Sequence, residues 1–442
     1  MSASVSKHFV AEKVKALCVV SDVRYASETL QDEYEVLPLV ATGGWDNEVR
    51  RHTTRRQFVA RTNSLISCRS AAPQTNHVTL HLPVRPTSDE RELRREFGHG
   101  EGDARPCELS TLAEAEHEGD VNALQFVAAR GENLLVSASS AGGVLAYRVS
   151  SSAGDDAAMS DADASKPLSP FAMPQWENVF AGTAATCVEV SESRTSLVTA
   201  SAGGALAWLK LDDAASVEKI GTRSMDDDII CLELTFDAAE NEGASRLPIN
   251  AIKFLGRDSV VATVGTLSRS ALSTPSSRSI LTTLETHPTR PELLITGADD
   301  GRVSFWDRRK LDAPSRTEAY HQRAVRALKL HSASPRYLYT GGDDAVVNCW
   351  DFHHGRNPRD PVEYERYSGA SGTAAGQNLT SFASLGASNG FAKGPGGLHV
   401  QPLASGFQPW NALAVHAESD TLVAGSDAQS VVIIQHASKW KQ

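Results

Sequence analysis

The chain has 442 residues, with 43 Lys and Arg against 54 Asp and Glu and a formal charge of −11. That balance argues against a general binder of nucleic acid or of acidic membranes, which must offer positive charge to phosphate. Six cysteines (Cys18, Cys68, Cys107, Cys187, Cys231 and Cys349) lie far apart with no Cys-x-x-Cys pair. They are expected to be free thiols in a reducing compartment, not zinc ligands.

The opening MSASVSKHFVAEKVKALCVV lacks the apolar core of a signal peptide, and no run of about 18 apolar residues occurs to span a bilayer, so a soluble intracellular chain is expected. Leu39 to Thr42 then reads as a strand, followed directly by GGWDNEV. A Trp-Asp pair in that place occupies a turn, so Trp45, Asp46 and Asn47 are candidate partner contacts at a hairpin tip. Packing of Trp45 under a neighbouring loop is the structural alternative, and the weightier one.

Residues 49–69 hold six arginines (Arg50, Arg51, Arg55, Arg56, Arg61 and Arg69) and no acid. Only Phe58 could stack on a base, so a disordered loop is preferred to a basic arm for nucleic acid. HVTLHL at 77–82 should continue the sheet, and SDERELRREF at 88–97 suggests a short surface helix capped by Ser88, with Glu90 and Arg94 one turn apart.

Strand pairs follow in series: VNALQF (121–126) with LLVS (134–137) and VLAYRV (144–149), then SLVT (196–199) with ALAWLKL (205–211). Between them, 150–169 is Ser/Ala/Asp low complexity, read as a loop, in which Ser169-Pro170 is a weak candidate for proline-directed phosphorylation. INAIKF (249–254) and VVAT (260–263) open a fourth unit, but only 33 residues separate Thr263 from its next equivalent, Thr296. That unit should be incomplete, or completed from elsewhere.

The clearest repeat comes next. GADDGRVSFWD at 297–307 and GGDDAVVNCWD at 341–351 match with every residue 44 positions from its partner. Each joins an apolar strand (LLIT, YLYT) through a tight Asp-Asp turn to a strand ending in Trp-Asp; Gly and Asp supply the turn chemistry of a hairpin. After a glycine-rich stretch at 355–409, NALAVH, TLVA (421–424) and VVIIQH close the series. The strand ending at 42, 137, 199, 263, 296, 340 and 424 thus recurs seven times. Units of about 40–45 residues indicate an all-β, seven-bladed WD40-type β-propeller over 1–442. Flexible inserts are expected at 48–75, 84–106, 150–174, 237–247, 265–279 and 355–409.

His321, Thr340, Asp344 and Trp350 fall where one blade can chain them by hydrogen bonds, and Asp300 and Trp306 are their counterparts in the preceding blade. His-Asp general-base chemistry is the functional reading. A buried network that locks the blade is strongly preferred. Blade two has His117 and Ser139 but Tyr147 in the Trp position. No nucleophile elbow, phosphate-binding Gly loop or His-Glu-x-x-His occurs, and His353-His354 has no nearby co-ligand. No enzyme, cofactor or small-molecule substrate is expected; a loop-rich disc is most simply a platform for proteins.

KHFVAEKV, ATGGWDNE at 41–48, HEGDVNALQF at 117–126, LLVSASSAGGVLAYRV and NALAVHAESDTLVAGSDA together resemble the nucleoporin forty-three family. These proteins are the small WD40 subunits of the Y-shaped outer ring of the nuclear pore. The resemblance touches both ends of the chain and implies a non-enzymatic scaffold subunit, bound to an α-solenoid nucleoporin of the short arm and to other outer-ring subunits. It implies location at the nuclear envelope and pore, at kinetochores in dividing animal cells, and a part in mRNA and protein transport. It also implies that the strand around His8 to Lys13 completes the last blade beside VVIIQH. The Arg-rich insert and the short fourth unit depart from the family. The rival reading is a substrate receptor of cullin-RING ubiquitin ligases, from the W-D-x-R signature at Trp306, Asp307 and Arg309.

Overall fold

The computed structural model describes residues 4–10, 12–21, 23, 34–45, 75–86, 107–129, 131–150, 166–211, 217–220, 230–234, 248–255, 260–265, 279–309, 314–352, 392–393 and 398–439. Among these described residues the strands form seven sheets, six of them with four or five strands and one with three. β1 (Ser4–Phe9) lies outside the first sheet, which is built from β2 (Lys13–Val20), β3 (Tyr34–Val36), β4 (Leu39–Trp45), β5 (Thr75–Pro86) and β6 (Glu108–Glu118). The second holds β7 (Val121–Ala129), β8 (Glu132–Ser139), β9 (Val144–Val149) and β10 (Leu168–Phe171). The third holds β11 (Ala185–Val190), β12 (Ser196–Ser201), β13 (Leu206–Lys210) and β14 (Val217–Ile220).

The fourth sheet departs from this pattern. β15 (Ile230–Leu234) precedes the blade in sequence and lies parallel to β17 (Val260–Gly265), whose other edge takes β16 (Ile249–Phe254) antiparallel. The blade is thus completed from upstream, since the chain ahead of β16 is long enough to cross over and pair where a hairpin strand would otherwise sit.

β18 (Leu281–His287), β19 (Arg290–Ala298), β20 (Arg302–Asp307) and β21 (Arg316–Ala319) make the fifth sheet. The sixth holds β22 (Val325–Leu330), β23 (Tyr337–Gly342), β24 (Val346–Asp351), β25 (Ala392–Lys393) and β26 (His399–Ser405). β27 (Trp410–His416), β28 (Thr421–Ser426) and β29 (Ser430–Gln435) begin the seventh, and β1 finishes it, paired antiparallel from Ser4↔Gln435 to Phe9↔Ser430. The pairing strand is therefore Ser4–Phe9; Lys13 already opens the next blade. The inner strands β2, β7, β11, β16, β18, β22 and β27 contact one another in that order, and β27 returns to β2. The sheets are the blades of a closed propeller.

Second strands such as β8, β12, β23 and β28 are buried along nearly their whole length because neighbouring blades cover both faces. They read as continuous apolar runs for that reason. The cores lie between blades: Val78, Leu80, Val121 and Leu135 pack together between the first two, and Trp176 is fully buried with Val136, Leu197 and Leu209 between the next two.

Several expected inserts are shorter than the sequence suggested. β10 falls within 150–174, β25 and β26 within 355–409, and β5 runs to Pro86, inside 84–106. β10 and β25 are edge strands, where one side pairs with nothing further in the sheet and a weak apolar pattern suffices, whereas β5 and β26 are paired on both sides. Ser169 is 7% exposed and registered against Arg148 in β10, which removes it as a phosphorylation site. The 49–69 arginine stretch, the 88–97 helix, His353-His354, Asp46 and Asn47 lie outside the described residues, as do 237–247 and 266–278.

Candidate interaction surface and the networks that hold it

Blade six brings four of the predicted residues together. His321 Nδ1 lies 3.0 Å from both oxygens of Asp344, and its Nε2 lies 2.7 Å from Thr340 Oγ1, which also accepts the Trp350 Nε1 hydrogen at 2.9 Å. A carboxylate only accepts, so Nδ1 carries the imidazole proton and Nε2 takes the threonine hydroxyl hydrogen. Burial pushes the Asp344 carboxyl up, but the hydrogen bond from His321 and the backbone N–H groups of Gln322 and Val346 hold it below its ordinary value. Every polar atom points inward to another: His321, Thr340 and Trp350 are 5%, 0% and 0% exposed. An imidazole so engaged has no approach for a substrate.

In blade five Trp306 Nε1 donates to Thr296 Oγ1 at 2.9 Å, but Asp300 turns to its own hairpin and accepts from Arg302 N at 3.1 Å. Blade two pairs His117 Nε2 with Ser137 Oγ at 2.9 Å; Ser139 instead donates to the Glu118 carbonyl. Ser137, not Ser139, is thus the partner: it registers with Leu124 as Thr340 registers with Leu328, and so holds the position of the blade-six threonine. In blade one a histidine stands where Trp350 would: Thr42 registers with Thr79, and His81, two residues on, lies 2.9 Å from Thr42 Oγ1. Burial pushes the imidazoles of His81 and His117 down to about 4, keeping both neutral.

A second pattern links the blades to each other. Each of the seven inner strands carries a bulge, at Lys15, Asn122, Thr186, Asn250, Thr282, Arg326 and Asn411. A bulge re-aims its side chain. Asn122 donates to Ala185 O at 2.6 Å, Thr186 to Ile249 O at 2.6 Å, Asn250 to Leu281 O at 2.7 Å, Thr282 to Val325 O, and Asn411 to Val14 O at 3.0 Å. Each acceptor is the residue before the next blade's bulge, so the belt passes from blade to blade. Two bulge residues do not continue it: Lys15 lies over Trp45, and Arg326 pairs with Asp343 at 2.7 Å.

The central channel, about 520 Å³, is charged on one side and apolar on the other. One equivalent position per inner strand gives Cys18, Gln125, Glu189, Lys253, Glu285, Lys329 and Ala414. Gln125 Nε2 donates to Glu189 at 3.1 Å; Lys253 Nζ reaches Glu189 at 2.8 Å and Glu285 at 3.4 Å; Lys329 Nζ reaches Glu285 at 3.3 Å. Burial opposes the charge on Lys253, yet Glu189 and Glu285 raise its pKa; burial likewise works against Glu285, which Lys253 and Lys329 hold below its usual range. This relay, missed in the sequence, shows as the polar residue of VNALQF, INAIKF and AVRALKL once those strands are aligned.

Trp45 ends β4 instead of standing at a free tip. Its Nε1 donates to Asp427 Oδ1 at 2.9 Å, and the Lys13 and Lys15 ammonium groups lie 5.0 and 5.3 Å from its ring centre. Asn411 Nδ2 donates to the same Asp427 oxygen at 2.6 Å. The indole therefore joins blade one to blade seven, in line with the packing alternative expected for it, and stays part-buried. Trp306 is buried at 3%, while Asp307 and Arg309 remain at the surface, with Arg309 Nη2 2.6 Å from Asp307 Oδ2. The Arg309 hydrogen bond holds the Asp307 carboxyl below its usual value.

A family model described as WD domain, G-beta repeat matches residues 314–351. That span runs from the outer strand of blade five through the third strand of blade six and contains the complete His321–Thr340–Asp344–Trp350 network. The networks of blades one, two and five are partial or altered. No curated protein matches the chain. Among the described residues no three His, Cys, Asp or Glu side chains converge as metal ligands. The chain is an all-β WD40 β-propeller, a fold that generally serves as a protein-binding platform.

Proposed function

We propose that this WD40 propeller is a non-enzymatic scaffold subunit of the outer ring of the nuclear pore, bound to an α-solenoid nucleoporin. One observation carries the reading. The stretches that resemble nucleoporin forty-three, drawn from both ends of the sequence, are neighbours in space: KHFVAEKV spans β1 and the start of β2, ATGGWDNE ends β4, HEGDVNALQF joins β6 to β7, LLVSASSAGGVLAYRV covers β8 and β9, and NALAVHAESDTLVAGSDA covers β27 and β28. They form one sector, blades seven, one and two, around the seam where the ring closes. A tagged full-length chain is expected to give a punctate nuclear rim, with kinetochore signal in dividing animal cells, and to co-purify stoichiometrically with helical nucleoporins. A diffuse signal would overturn this reading.

The ligase-receptor reading keeps one favourable feature: Arg309, with its side chain 69% exposed, is held beside Asp307 at the blade surface. Recovery of a cullin adaptor, lost on Arg309→Ala, would replace the scaffold reading with that one.

A further inference from the structure

A cleft of about 630 Å³ opens where blade one meets blade two, and both blades line it. On the blade-one side β6 presents Glu116 and Glu118, both exposed, while Ala115 and His117 turn inward and are buried, as strand alternation requires. On the blade-two side the link from β10 to β11 supplies Glu177, also exposed. That link is pinned: Val144 N donates to Trp176 O at 2.8 Å and Phe180 N to Gly142 O at 3.0 Å, so Glu177 is held beside the cleft. Phe171 and Met173 give the lining its apolar part. Among the described residues no lysine or arginine lines the cleft, and burial keeps the His117 imidazole neutral. Arg148, whose guanidinium lies over Phe171, is already held through two nitrogens by Glu132, at 2.7 and 3.1 Å. Three carboxylates thus rim an apolar lining without a lining cation to answer them.

The chain itself carries the opposite charge, tethered at this cleft. Residues 46–74 join β4 to β5, both of blade one, and Thr75, where the connection ends, is registered against Glu118 of the cleft wall. Within that connection, 49–69 hold six arginines and no acid, and RRQFVAR at 55–61 sets Phe58 and Val59 between arginines. An apolar centre with cations on both sides is the complement of an apolar lining with carboxylates on both sides. We propose that the cleft is the docking site of the chain's own segment 49–69, its arginines pairing with Glu116, Glu118 and Glu177 and its Phe58 and Val59 covering Phe171 and Met173. A guanidinium suits this role because its planar fork engages a carboxylate through two nitrogens. Exposed ion pairs are weak singly, but both ends of the connection belong to blade one, so docking is intramolecular, at an effective concentration on the order of millimolar. Any other basic ligand of the cleft must displace this segment.

The test places p-benzoylphenylalanine in the purified full-length chain at position 172, which is exposed and lines the cleft, and, as control, at the exposed position 192 of blade three. Irradiation and peptide mapping follow. The expected result is an intramolecular cross-link from position 172 into residues 49–69, absent from position 192. Arginine-specific proteolysis gives an independent readout, since cleavage tracks the released population of the segment. Cleavage within 49–69 should accelerate about tenfold or more in the Glu116→Gln, Glu118→Gln, Glu177→Gln triple variant, at unchanged melting midpoint because all three side chains are exposed. A cross-link from position 172 to another segment or to a second copy, or no cross-link at all, would overturn the proposal. So would equal cleavage rates in the parent and the triple variant.

Discussion

Trp45 and Asp427 are hydrogen-bonded at 2.9 Å across the seam between the first and last blades, although 382 positions separate them in the chain. Trp45→Phe keeps an aromatic ring but removes the donor and part of the packing surface, so it should cost at least about 1 kcal/mol. A lower urea midpoint with unchanged partner recovery is expected. Lost recovery at unchanged stability would restore Trp45 as a contact residue.

Thr340→Val replaces the hydroxyl that both His321 and Trp350 address and leaves two buried nitrogens without that partner. Each orphaned group costs about 1–3 kcal/mol, so this isosteric change should be among the most destabilising single substitutions in blade six. Thr421→Val, at the blade-seven turn, serves as comparison, because Thr421 accepts from Ser419 Oγ at 2.9 Å in a local motif. Equal effects on the urea midpoint would count against a special role for the network.

The pH dependence follows from His81 and His117, whose folded values are pushed down to about 4 by burial from an ordinary 6.5. The unfolded chain therefore binds more protons through that window. Stability is fully present above about pH 6.5 and falls as pH drops toward 4, by roughly 3 kcal/mol per histidine at the bottom. His81→Gln and His117→Gln should each flatten the slope of unfolding free energy against pH between 6.5 and 4.5. An unchanged slope in both would contradict the assignment.

Lys253→Met removes the cation between Glu189 and Glu285. Breaking a buried ion pair from one side costs about 3–5 kcal/mol, whereas neutralising all partners costs far less. Adding Glu189→Gln and Glu285→Gln to Lys253→Met should recover most of the lost stability, as measured by urea unfolding. Failure of the triple variant to exceed the single one would show that the relay's charge is not what holds that wall of the channel.

The sequence made the second strands plain because burial on both faces forces runs such as LLVS, YLYT and TLVA, and it made blade six plain because His321, Asp344 and Trp350 are chemically conspicuous. β15 was hidden: nothing in ICLEL announces that it will pair in parallel with a strand that follows it. β10, with Pro170 in a strand of four residues, reads as loop because it is an edge. His81 in a tryptophan's place, and the bulge residues Asn122, Asn250 and Asn411, looked like ordinary polar alternation. Their meaning depends on a neighbouring blade, which periodicity along one strand does not encode.

The pairing of Ser4–Phe9 with Ser430–Gln435 also bears on synthesis. During translation the first strand of the pair leaves the ribosome long before its partner exists, while intermediate blades can stack as they emerge. Closure is therefore the most non-local pairing among the described strands, and it carries a loop-closure cost that the hairpins avoid. Until it occurs, β29 pairs on one side alone, and its open edge is a template for another chain, so the ring's weakest moment against aggregation is the interval before β1 docks.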